Sequence, residues 1–179
     1  MSDPTVHCHQ VLPAGSWQSA SDLVVLRHDQ RRLQRCRLET ASGLGFRVEM
    51  PEPVTAQHGD ALPLSNGQLV EVIAADEDLV AVRGDLKRLA WHIGRHGAAC
   101  QTAPERLLMP RNAALERSLA ALGATLEQVC EPFCPDCDDC DAPHAQAAPA
   151  GRRHVHVHVA HLADADDDDE MPEVPAANA

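Results

Sequence analysis

After Val80 the chain changes hydrophobic period, and that change constrains the fold more than any other feature. Upstream, Val24 and Leu26, then Phe46, Val48 and Met50, fall on alternate positions of "SDLVVL" and "LGFRVEM", with "RCRLET" and "DALPLSNGQLVEVI" as further short runs between turn signals. Period two marks half-buried strands, and "NG" at 66–67 marks a hairpin turn between "ALPL" and "QLVEVI". Downstream, "GDLKRLAWHIGRH" spaces Leu86, Leu89, Ala90 and Ile93 by three and four behind Asp85, the pattern of a capped amphipathic helix. A run of strands followed by alternating strands and helices is an α+β pattern.

A second helix is expected in "PRNAALERSLAALG", with Asn112 as its cap, Leu115, Leu119 and Leu122 on one face and Gly123 as its stop. Strands "DLVAVR", "RLLM" and "TLEQVC" flank the two helices, which predicts a ferredoxin-like βαββαβ domain with helices on one face of a sheet. The expected organisation is a small all-β domain over 1–74, the ferredoxin-like domain over 75–133 and a disordered Cys/His/Asp-rich tail over 134–179. From Pro132 the Pro, Ala and Asp content rises and periodicity is lost, so order is expected to end there.

With two Trp, two Phe and no Tyr, the core falls to Leu, Val, Ile and Ala. The net charge of −12 is uneven: 15 acidic and 13 basic residues lie at or before Cys130, against 12 acidic and two basic residues after it. A nearly neutral folded part argues against a nucleic-acid partner, whose affinity comes mostly from basic side chains on phosphates. No apolar run is long enough to span a membrane, and "MSDPTVHCHQ" lacks a signal-peptide pattern, so a cytoplasmic protein is expected.

Three groups of residues carry chemistry. His92 and His96 stand four apart in "WHIGRH", a spacing that puts two imidazoles on one helix face; it also suits histidines that merely favour the helix dipole or fill the core. Cys134, Cys137 and Cys140 in "CPDCDDC", with His144 beyond, set thiolates at three-residue steps, a set that suits Zn²⁺, Ni²⁺ or Cu²⁺, with a redox Cys-x-x-C as the competitor. His154, His156, His158 and His161 in "RRHVHVHVAH" alternate like a strand, yet no apolar partner strand follows them, which favours weak, exchangeable metal binding. The acidic run beyond them reads as a solubilising end. No nucleophile elbow, Walker or dinucleotide glycine loop, or His-Glu-x-x-His motif occurs, so no enzyme activity is expected.

Taken together, "RRLQRCRL" after the first strand, the "HIGRH" segment, and "LGA" followed by "PFCP" resemble the urease accessory nickel chaperones of the UreE family over roughly residues 5–137. The resemblance implies a peptide-binding-like β-domain, a ferredoxin-like domain that forms a homodimer, and a nickel ligand at the two-fold axis that falls on His96. This chain reads "HIGRH" where the family usually carries an Asn between Gly and Arg, and "LLMPRNAAL" lacks ligand histidines that some members hold before the second helix. The tail is then expected to supply more of the ligands. The implied function is capture of Ni²⁺ and its delivery to the urease apoprotein through an accessory GTPase complex. Two other readings stay open: zinc or copper buffering by the Cys/His tail, and an adaptor whose β-domain binds a partner peptide by strand addition.

Overall fold

The structure, a computed structural model, describes residues 6–136. The first half of the described residues holds six strands: β1 (Val6–Cys8), β2 (Asp22–Leu26), β3 (Arg32–Glu39), β4 (Gly45–Thr55), β5 (Ala61–Pro63) and β6 (Leu69–Ala74). They form two three-stranded sheets of order β1-β4-β3 and β2-β6-β5. Val24, Leu26, Phe46, Val48 and Met50, the residues picked out by alternation, are all buried in one cluster with Cys8, Leu33, Leu62, Val70 and Val72.

The "NG" turn does join an antiparallel pair, β5 and β6, as a hairpin. Gly67 N–H donates to the Leu64 carbonyl and Leu64 N–H to the Gln68 carbonyl, so the loop is Ser65–Gly67. Within that loop only Gly67 has positive φ, at 86°, while the Asn66 side chain accepts from Gln68 N–H. That is a tight turn followed by a left-handed glycine, the three-residue solution with a bulge.

The second half reads β7 (Asp76–Arg83), α1 (Leu86–Arg95), β8 (Gln101–Ala103), β9 (Arg106–Pro110), α2 (Ala113–Ala121) and β10 (Thr125–Pro132). Its sheet order, β10-β7-β9-β8, with every pairing antiparallel, is the ferredoxin-like arrangement. The short strand β8 is absent from the strands named above, because "QTA" has no apolar alternation of its own.

Both helices are capped as expected. Asp85 accepts from Arg88 N–H, and Asn112 from Ala114 and Leu115 N–H. Leu89, Ile93, Leu115 and Leu119 then bury against Val80, Val82, Leu107 and Met109 on one face of the sheet.

The sheet's other face exposes Leu79, Ala81 and Leu108, and Phe133 covers them with 0% of its own surface left accessible. The loss of order placed at Pro132 is therefore corrected. Phe133 is core, Cys134 N–H donates to the Gln101 side chain, and Asp136 N–H donates to the Cys100 carbonyl while its carboxylate accepts from Thr102 N–H. Arg31, 1% exposed at the end of the turn Asp29–Arg31, donates to the Phe133 carbonyl, and the His28 ring meets Phe133 edge-on at 5.4 Å. The carbonyl gives a buried guanidinium one of the partners that it needs.

Candidate metal centre

The histidine pair is positioned by the way α1 ends. The last turn closes with Gly97 N–H on the Gly94 carbonyl and Ala98 N–H on the Ile93 carbonyl, with Gly97 at φ 66°. Those two bonds make a Schellman cap, in which the left-handed residue is normally glycine. His96 is the capping residue itself and is exposed, while His92 lies one turn back, half-buried beside Ile93. Their ring centroids are 4.8 Å apart with planes inclined by 58°, and His92 Nε2 is enclosed without a hydrogen-bond partner. An orphaned imidazole nitrogen next to a second imidazole is a donor set for a borderline divalent ion.

Two glycines here respond oppositely to alanine. A Cβ at either Gly94 or Gly97 meets nothing within 4 Å, so backbone conformation decides the sign. Gly94→Ala should raise stability by about 0.5–1 kcal/mol, because it stands inside the helix. Gly97→Ala should lower it by about 1–2 kcal/mol through the left-handed backbone. Urea midpoints at constant slope measure both.

Trp91 is a residue that the spacing argument missed. It lies in the polar row Lys87-Trp91-Arg95, is 65% exposed, and has the Arg95 guanidinium 5.5 Å from its ring centroid. A large aromatic at a solvent position of an amphipathic helix was the available signal, since such residues are enriched at interfaces.

Of the thiols expected as ligands, Cys134 is the one within the described residues. It is half-buried with Sγ 4.0 Å from Arg31 Nη1; burial pushes its thiol pKa up and the Arg31 charge works against that. Cys137, Cys140, His144, His154, His156, His158 and His161 lie outside the described residues. Among those described, no three His, Cys, Asp or Glu side chains gather into a cage, so α1 offers two imidazoles and no more. The structure does bring the start of the tail beside the strand that follows α1, because Asp136 pairs with Cys100, four residues beyond His96.

Burial beside that contact, with the Asp136 carboxylate nearby, pushes the Cys100 thiol up to about 11. In the unfolded chain the thiol loses its proton near its usual value, so the folded state binds more protons between roughly pH 9 and 11 and stability falls as pH rises. Cys100→Ala should remove that part of the loss, read as a smaller drop in urea midpoint from pH 9 to 11.

No described helix is long and apolar enough to cross a membrane. Residues 8–75 match the family described as "UreE urease accessory protein, N-terminal domain", and residues 69–166 match its C-terminal domain. A urease accessory protein UreE of Ruegeria pomeroyi is 42% identical over 152 residues, 84% of this chain and 97% of its own. One from Rhodobacter capsulatus is 41% identical over 147 residues, 82% of this chain and 94% of its own. A third, from Cereibacter sphaeroides, is 44% identical over 128 residues, 71% and 70% of the two chains. Matches of this extent to both halves show that the chain belongs to the UreE family of urease accessory proteins.

Proposed function

We propose that this chain serves urease assembly as a cytoplasmic nickel metallochaperone that passes Ni²⁺ to the urease apoprotein with an accessory GTPase complex. The observation that carries the reading is the His92–His96 pair, with its orphaned Nε2, at the exposed end of α1. Two imidazoles underfill the coordination shell of a divalent ion. A second copy of the chain related by a two-fold axis doubles the set, and exposed Trp91 beside it supplies apolar contact area for that homodimer. The Cys and His residues beyond Asp136 act as weaker, more numerous sites from which ions are handed over by ligand exchange. No bond of a substrate is made or broken, so the protein is not an enzyme in this reading.

Restoration of urease activity tests it. In cells lacking this gene and grown at limiting nickel, the parent chain should restore activity and His96→Ala should restore little. Excess nickel should narrow the gap. Equal restoration by both at limiting nickel would sink the proposal.

A further inference from the structure

The outer face of the sheet β1-β4-β3 carries Arg35, Arg37 and Arg47 against the carboxylates of Glu39 and Glu49. Strand register aligns His7, Arg47 and Arg37 in one cross-strand row and Glu49 with Arg35 in the next, while Cys8, Phe46 and Val48 point into the core. Glu49 turns toward His7, 3.4 Å from Nδ1, rather than toward Arg35. No ion pair engages Arg35, Arg37 or Arg47 among the described residues. Arg37 lies across Gly45, its guanidinium 3.3 Å from the point where a Cβ would stand, so glycine leaves the room for it. Beside the register shift between Leu33 and Arg35, an open depression of about 960 Å³ is lined by His9, Arg35, Arg37, Arg47, Glu49 and Pro51. Like charges directly opposite each other, as Arg37 and Arg47 are, destabilise a sheet unless an anion lies between them.

We propose that this face docks the chain's own acidic segment, Asp164–Glu170. "DADDDDE" holds six carboxylates in seven residues, in a chain whose net charge is −12. Carboxylates meet guanidinium groups in paired hydrogen bonds, and Glu49 within the face discriminates against denser polyanions such as nucleic acid. Length is no obstacle: 27 residues separate Asp136 from Asp164, a reach of about 90 Å against a radius of gyration of about 14 Å for a globular body of the described size. Tethering presents the segment at an effective concentration on the order of 1 mM, so an intrinsic affinity on the order of 0.1 mM suffices to keep the face occupied. The face is thereby closed to acidic partners until the segment is displaced.

The test is a titration of full-length, metal-free protein with a fluorescent peptide spanning residues 162–172. Three chains are compared: the parent; one with the acids of 164–170 neutralised by Asp→Asn and Glu170→Gln; and that neutralised chain with Arg35→Gln and Arg47→Gln added. The neutralised chain should bind the peptide about ten times more tightly than the parent, since 1 mM of tethered competitor is gone. The added arginine changes should lower that binding at least tenfold, as should raising salt from about 50 to 500 mM. These are exposed positions, and thermal melts of each chain confirm the fold. Equal binding to parent and neutralised chain would show a face open to acidic segments of other proteins and overturn self-docking. Binding that survives loss of the arginines, or no binding to any chain, overturns the proposal as well.

Discussion

His96→Ala should remove one tightly held nickel ion per two chains while leaving the weaker ions of the tail in place. In the proposed dimer the loss halves the imidazole set to the two His92 rings, which lie one turn back and half-buried, too few to hold the ion tightly. The ring is exposed at the helix end, so the substitution should change stability by no more than about 0.5 kcal/mol. His92→Ala should act more gently. It removes the neighbour 4.8 Å away, and the tight site should weaken by about 10–100-fold, the range for a supporting group. Isothermal titration with nickel, together with native mass measurement of the loaded dimer, resolves the two classes of ion. An unchanged tight class in His96→Ala would falsify the assignment.

Phe133→Ala should be the most damaging single change to the fold. The ring is wholly buried against Leu79, Ala81 and Leu108, and emptying such a site costs about 3–5 kcal/mol. For a body of this size that is a fall in melting temperature on the order of 10 °C. A chain cut after Pro132 should suffer as much, whereas one cut after Asp136 should melt close to the intact protein. Phe133→Leu, which refills most of the space, should recover the greater part. If cuts after Pro132 and after Asp136 melt alike, the ring contributes nothing to the sheet.

That contrast shows where sequence reading reached and where it stopped. Helices α1 and α2 were legible because period, cap and stop agree at Asp85, Asn112 and Gly123, each a local signal. Phe133 was not, since one aromatic between Pro132 and Cys134 has no period to display. Its partner surface did leave a trace. In "DLVAVR" both alternating sets are apolar, Val80 and Val82 facing the helices and Leu79 and Ala81 facing away, the mark of a strand covered on both sides. Something had to supply the second cover. At the candidate centre, spacing brought His92 and His96 together, but no spacing rule reports that Nε2 lacks a partner or that Trp91 faces solvent. Arg31 was equally hidden, one arginine of the pair in "QRRLQR", and only tertiary packing distinguishes the buried one from Arg32.

The bond from Arg31 to the Phe133 carbonyl joins residues 102 apart in sequence, and that separation orders events during synthesis. At about 5–20 residues per second, residues 75–133 take about 3–12 s to synthesise, so Arg31 waits at least that long for Phe133 to exist. Through that interval the Arg31 guanidinium stays hydrated. Phe133 follows β10 directly, so its carbonyl is available to Arg31 only once that strand has been made. A nascent chain stalled short of residue 133 therefore lacks the carbonyl that partners the buried Arg31 guanidinium.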